Sequence, residues 1–155
     1  GFNLRPTDIQ AAIARNQFKR LDFFKKTRTI NKKKIIKSLL GDKRWNDQFH
    51  FVKYSNKIDP SYMVLPIFLN KKFINKKKQF IKVIEQKGLE TRPIISGSFV
   101  NQPSTKLYNL NPSNKKFFSA QKVQDLGFVI GLHTKKIKYN QLKFIKETLF
   151  SIDKI

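Results

Sequence analysis

Apolar positions along the chain change their spacing several times, and each change marks an element. Ile9, Ala12, Ile13 and Asn16 fall on one helical face. Thr7 stands where an N-cap hydroxyl can accept from a first-turn amide, and Gln10 can reach back to the Thr7 amide. Pro6 keeps Arg5 extended, and Asp8 complements the positive end of the helix. This predicts a helix from Thr7 to about Phe18. A second is expected from about Leu21 to Leu40, with Leu21, Phe24, Arg28, Ile35 and Leu39 as its stripe and Gly41 as its stop signal. Asn31 to Lys34 interrupt that stripe. Lys32, Lys33 and Lys34 read as a solvated face, and Trp45 as a ring packed under the next loop.

Beyond Gly41 the period shortens. Phe49, Phe51 and Tyr54 alternate with His50 and Val52, as in a short strand. Tyr62 to Leu69 is a second strand candidate, in which Pro66 argues for an edge or a strand start. Phe73, Ile74, Phe80, Ile81 and Ile84 mark a helix from about Ile74 to Lys87, closed by a left-handed Gly88. Thr91 to Ser96 reads as a short strand, and Gly97 to Asn114 as loop. Ser119 can cap a helix from Ala120 to Leu126. Phe128, Val129, Ile130 and Leu132 form a compact buried strand. Leu142, Ile145, Leu149 and Ile152 define a last helix from Tyr139 to Ile152. The sum is an α+β fold: two N-terminal helices, then a small, mostly antiparallel sheet covered by helices.

The chain has 155 residues, 39% of them hydrophobic and 15 of them Phe, enough for one modest domain with a real core. No apolar run approaches the roughly 20 residues of a membrane span. Zero cysteines exclude disulfides and thiolate metal sites within these residues. Two separated histidines, His50 and His133, argue against a metal site. The net charge of +23 raises the alternative of a basic nucleic-acid-binding α+β module. Against it, only six of the 33 basic residues are Arg, and the lysines are scattered among Asn, Ile and Phe, as codon bias from an AT-rich genome would leave them.

Catalytic constellations are scarce. No nucleophile triad, dinucleotide fingerprint or phosphate loop is present. The ten carboxylates mostly neighbour lysines, and Glu85 and Glu90 read as surface charges rather than an acid–base pair. Two polar segments stand out. One is Asn3-Leu4-Arg5, ahead of the first helix. The other runs from Glu90 to Pro103, where Arg92, Ser96, Ser98, Asn101 and Gln102 cluster around Gly97. Hydroxyls, amides and one guanidinium on a strand-end loop suit a polyhydroxylated or phosphorylated ligand, and an ordinary turn-rich loop has the same composition.

At these residues the chain resembles the DegT/StrS-type family of pyridoxal-phosphate-dependent sugar aminotransferases and dehydratases. GFNLRPTDIQAAI at 1–13 is similar to that family's Gly-Tyr-Asn-x-Arg-x-Thr-Asp-x-Gln-Ala-Ala-x segment. Gln17, Leu21 and Asp22 continue the pattern, with Phe18 as a departure. Lys87 to Pro93 resembles the entry to the family's substrate loop, and Gly127 to His133 the strand near its C-terminus. The segments follow the family's order across nearly the whole chain.

The resemblance implies part of a fold-type-I enzyme. Residues 1–41 would be the helical end of the large domain and the inter-domain connection, and 42–155 the α+β small domain. The abrupt start on Gly1, without an initiator methionine, adds the expectation that a cofactor-bearing large domain lies upstream. The Schiff-base lysine, or the histidine of the dehydratase branch, would then lie there. The resemblance implies pyridoxal 5′-phosphate as cofactor and a nucleotide-linked keto-sugar as substrate, with transamination from a donor such as glutamate or 3-dehydration as the reaction. It also implies a cytoplasmic homodimer with shared active sites. Asn3 matches the asparagine that reaches the partner's cofactor phosphate. Arg5 matches a position near the same site, facing the anionic part of the substrate. Arg92, Ser98, Asn101 and Gln102 match the loop that borders the sugar-nucleotide pocket. Ser98 replaces the Asn of a Gly-Asn-x-x-x-Gln-Pro pattern found in the dehydratase branch. His133 reads either as a substrate-positioning residue or as a structural histidine. None of the chain's residues is nominated as catalytic, and the fragment alone is expected to be inactive. A non-catalytic dimerisation domain using the first helices is a third possibility.

Overall fold

The structure is a computed structural model that describes residues 5–55, 57–58, 60–95, 97–110 and 117–155. Helix α1 (Asp8–Phe18) opens on the expected capping box: the Thr7 N–H donates to Gln10 Oε1 at 2.8 Å, and the Gln10 N–H donates to the Thr7 hydroxyl. None of its residues is buried. Helix α2 (Leu21–Leu40) follows after Lys19 and Arg20 and has no side-chain cap. Its inward face is Thr27, Asn31, Ile35 and Leu39, all buried, whereas Leu21 is exposed. The stripe is therefore half polar and shifted from the apolar one the sequence suggests. Gly41 ends the helix at φ −89°, so it stops α2 without a left-handed turn.

Strands β1 (Phe49–Phe51), β2 (Val64–Leu69), β3 (Thr91–Arg92) and β4 (Gly127–Gly131) form one sheet in the order β1-β2-β4-β3, antiparallel throughout. Residues directly opposite across an antiparallel pair share a face. Phe49 opposes Leu69, Ile67 opposes Phe128, and Leu65 opposes Ile130. These six side chains make the buried face. Helix α2 covers it with Ile35 and Leu39, α3 (Lys77–Gln86) with Phe80 and Ile84, and α6 (Tyr139–Leu149) with Leu149. The Phe80 ring sits between Phe49 and Phe128, with centroids 6.2 and 5.9 Å away. Helix α5 (Phe118–Leu126) packs on the other side of β2 and β4.

Pro66 lies inside β2, an inner strand, where the sequence argues for an edge. The register explains it. The Leu132 N–H donates to the Met63 carbonyl and the Asn70 N–H to the Gln48 carbonyl, so odd-numbered residues of β2 hydrogen-bond toward β4 and even-numbered ones toward β1. Strand β1 ends at Phe51, opposite Ile67. Pro66 thus faces the β1 side one residue past the last pair, where no ladder donor is required.

Several boundaries differ from expectation. Strand β2 starts at Val64 and β1 stops before Tyr54. Tyr54 instead stacks edge-on against Tyr62, and the Lys32 ammonium lies 3.7 Å from the Tyr62 ring centre, which ties this segment to α2. A 3₁₀ turn over Lys71–Lys76 precedes α3, and Gly88 adopts φ 93° as expected. Strand β3 has two residues rather than six. The segment expected to be loop contains a 3₁₀ turn (Phe99–Asn101) and helix α4 (Pro103–Leu107), since Pro103 is preset for a first helical position. Helix α5 begins at Phe118, so Ser119 lies inside it rather than capping it. The last helix gives way to a 3₁₀ turn over Phe150–Lys154.

Candidate functional site

Residues 93–95 and 97–102 lie over α5, and the latter stretch is fastened to it by amides. Gly97 has φ 66°, a conformation that favours glycine, and a Cβ there would sit 3.0 Å from Gln124 Oε1, a tight contact to which that side chain would have to yield. Gln124 Oε1 accepts from the Ser98 N–H at 2.9 Å and from Asn101 Nδ2 at 3.1 Å. Asn101 Nδ2 also donates to Gln121 Oε1 at 2.8 Å, and Gln121 Nε2 donates to Asp125 Oδ1 at 2.8 Å. On the other side of Gln124, its carbonyl accepts from Lys77 Nζ at the start of α3. Half-burial pushes the Lys77 ammonium below its ordinary pKa, and the Asp125 charge partly offsets this.

Gly127 makes the close approach possible. A Cβ on it would fall 2.6 Å from both Ile94 Cδ1 and the Val123 carbonyl. Ile95, a β-branched residue at φ 45°, is 89% exposed, so the backbone is strained at the rim of the loop. Together Pro93, Ile94, Ile95, Gly97, Asn101 and Gln102 line a groove of about 340 Å³ with Gln124 in its floor.

The candidate residues do not all meet there. Asn101 and Gln102 line the groove. Ser98 is fully buried, and its hydroxyl has no hydrogen-bond partner among the described residues; it lines a neighbouring apolar pocket with Phe99, Val100 and Thr105. Arg92 is exposed on β3, paired with Glu90 at 3.0 Å, one residue before the groove begins. Arg5 is exposed in the non-helical lead to α1. Asn3 and Ser96 lie outside the described residues.

His133 lies past the opposite end of β4. Its Nδ1 accepts from the Lys135 N–H at 2.9 Å, and its carbonyl accepts from Asn31 Nδ2 at 3.0 Å. Asn31 also donates to the Lys135 carbonyl and accepts from the Ile137 N–H, so one buried amide holds the β4–α6 connection with three bonds. Gln121, Gln124 and Asp125 are not among the candidates that the sequence offers. Their signal was available: three short polar side chains within one turn and a half of a helix, directly following the loop they hold.

A pyridoxal phosphate cradle needs an amine or imidazole at the aldehyde, an acid at the pyridine nitrogen and donors for the phosphate. Lys77 and Asp125 share a shallow groove, but the Lys77 ammonium is engaged by the Gln124 carbonyl, and the other walls are Ile74, Lys78 and Ile81. The described residues do not complete such a cradle. Among them no group of three metal-ligating side chains is found either, and no helix is long and apolar enough to cross a membrane.

The fold is that of pyridoxal-phosphate-dependent sugar enzymes. The solved structure of Escherichia coli GDP-4-keto-6-deoxy-D-mannose-3-dehydratase, with bound hydrated PLP, superposes with a TM-score of 0.81 at 20% identity, over 96% of this chain and 36% of that one. A sequence profile of the DegT/DnrJ/EryC1/StrS aminotransferase family matches residues 1–145, and the chain belongs to that family. The GDP-4-keto-6-deoxy-D-mannose 3-dehydratase of E. coli O55:H7 is 21% identical over 149 residues. That match covers 96% of this chain and 37% of the relative. The lipopolysaccharide biosynthesis protein RfbH of Salmonella typhimurium is 26% identical over 103 residues, covering 66% and 23% of the two chains. The chain thus spans little more than a third of the dehydratase it matches along nearly all its length. Nothing in these comparisons supports the nucleic-acid-binding reading.

Proposed function

We propose that this chain is the small-domain side of a pyridoxal-phosphate-dependent enzyme acting on a nucleotide-linked keto-sugar, by transamination or by 3-dehydration, in deoxy- or amino-sugar and lipopolysaccharide biosynthesis. The observation that carries the reading is the family match over residues 1–145, within which the groove lined by Pro93, Ile95, Gly97, Asn101 and Gln102 supplies a preformed, partly polar surface. When bound, the cofactor would supply the electron sink for the chemistry. This chain's part is to bind and orient the sugar nucleotide.

In this reading Asn101 and Gln102 contact the substrate from the groove. Arg92 approaches from the β3 edge and Ser98 shapes the loop from beneath. His133 and Arg5 act from elsewhere on the substrate's path, Arg5 toward an anionic group, and Asn3 serves the cofactor phosphate of a partner subunit in a homodimer. Residues 1–41 form the end of the large domain and the connection, and residues 42–155 the small domain. The exposed apolar side chains of α1, Ile9 and Ile13, support this division, because they have no core of their own. The same reading assigns the enzyme to the cytoplasm, and no described helix is long and apolar enough to cross a membrane.

The test is spectroscopic. Full-length protein carrying this chain, purified with PLP, should show a bound-cofactor absorbance band that glutamate converts to the pyridoxamine form. A full-length protein that binds no PLP would sink the reading.

A further inference from the structure

Resting on that reading, we infer that the groove recognises a hydrogen-bond donor of its ligand, a sugar hydroxyl, through the side-chain oxygen of Asn101, and that Asp125 fixes this choice through Gln121. The orientation of Asn101 follows from its neighbours. A carboxylate can only accept, so Asp125 compels Gln121 to present its Nε2 to it and its Oε1 to Asn101. The Ser98 N–H can only donate, so Gln124 presents Oε1 to the loop. Asn101 therefore faces two acceptors and must turn its NH2 toward both. Both amide protons are used, and Oδ1 is left for the groove, which Asn101 lines as an exposed residue.

An acceptor at this point suits a hydroxyl and disfavours a phosphate oxygen. Of the two ligand chemistries that the loop composition allows, the polyol fits here. Asp125 does not line this groove, so its role is positioning.

The experiment uses the full-length, PLP-loaded protein and calorimetric titration with GDP-mannose, UDP-N-acetylglucosamine and dTDP-glucose. The tightest-bound of these is then compared with its sugar-monodeoxyfluoro analogues, in which one hydroxyl donor at a time is lost. At least one analogue should bind about tenfold more weakly to the wild type, the scale of one lost hydrogen bond to a polar partner. In Asn101→Ala that gap should close to within about twofold. In Asp125→Asn, which allows Gln121 to turn over, the gap should narrow while the melting temperature stays near wild type. An Asn101→Ala variant that weakens all probes equally, or that keeps the gap, overturns the inference. So does a PLP-loaded protein that binds none of the three sugar nucleotides. The cofactor band of the same samples keeps the two readings apart: PLP bound without hydroxyl discrimination removes this inference alone, and no PLP removes both.

Discussion

Helices α1 and α2 follow one another with two residues between them, and they are held in opposite ways. Helix α1 has every local advantage, a capping box and an acidic first turn, yet Ile9 and Ile13 are 74% and 60% exposed. Helix α2 has no side-chain cap and a lysine-rich middle, yet Thr27, Asn31, Ile35 and Leu39, four residues apart, are each at most 2% exposed. Local capping therefore defines where a helix starts, and burial against the sheet defines whether it belongs to the core. The polar half of the α2 stripe is tolerable because Asn31 keeps its hydrogen bonds inside the protein and Thr27 is small.

This contrast can be broken at several points. The largest effect is expected at Leu39, which has no exposed surface. Leu39→Ala should cost about 3 kcal/mol and lower the melting temperature of the chain by roughly 10 °C, read by circular dichroism. Asn31→Ala should cost about 2 kcal/mol, because the His133 and Lys135 carbonyls and the Ile137 N–H lose their partner. Faster hydrogen exchange confined to residues 133–138 would locate the loss. Thr7→Ala should remove about 1 kcal/mol of α1 helicity and leave the core transition unmoved. A matching drop in the core melting temperature would show that α1 is coupled to the sheet after all.

The smallest effect concerns the join just beyond α2. Arg44 bonds Asp42 at 2.8 Å and Glu147 at 2.7 Å, and Lys146 bonds Asp42 at 2.7 Å. Hydrogen bonds from Arg44 and then Lys146 hold the Asp42 carboxyl well below the usual carboxylate range, and Arg44 lowers Glu147. Both groups have depressed folded-state pKa values. Their contribution is thus complete above the ordinary carboxylate pKa of about 4 and fades as the pH falls further. The Arg44 and Glu147 side chains are 37% and 48% exposed, so solvent screening keeps the effect small even though the Asp42 side chain is largely covered. The gap between the urea midpoints of wild type and Arg44→Gln should be full at pH 6 and begin to narrow as the pH falls below about 4. A gap that stays constant across that range would assign the stabilisation to Arg44 packing over the Phe150 ring, 4.5 Å from its centre.

The same division runs through the candidate site. Gly97, Asn101 and Gln102 were legible because a strand running into Gly, Ser, Asn and Gln signals a polar loop. Their fastening to α5 was not, because Gln121, Gln124 and Asp125 carry no motif and acquire meaning only when the loop is laid on them. Ser98 and His133 show the reverse: both are substrate-side candidates in the sequence, His133 with a structural alternative, and they lie respectively beneath the loop and beyond the far end of β4. Pro66 was read by a sound rule that the register overrides, since an inner strand behaves as an edge wherever its neighbour has already stopped.

By itself the sequence determined the types of the longer elements, the capped start at Thr7, the turn at Gly88 and the family. These rest on backbone preferences and on patterns within a few residues of one another. The tertiary structure alone decided that Thr27 and Asn31, not Leu21, complete the inner face of α2, why Pro66 is tolerated, and which end of the Asn101 amide meets the groove. Each depends on a partner distant in the chain: the β4–α6 connection for Asn31, the end of β1 for Pro66, and Asp125 acting through Gln121 for Asn101. Short-range periodicity carries no record of such partners.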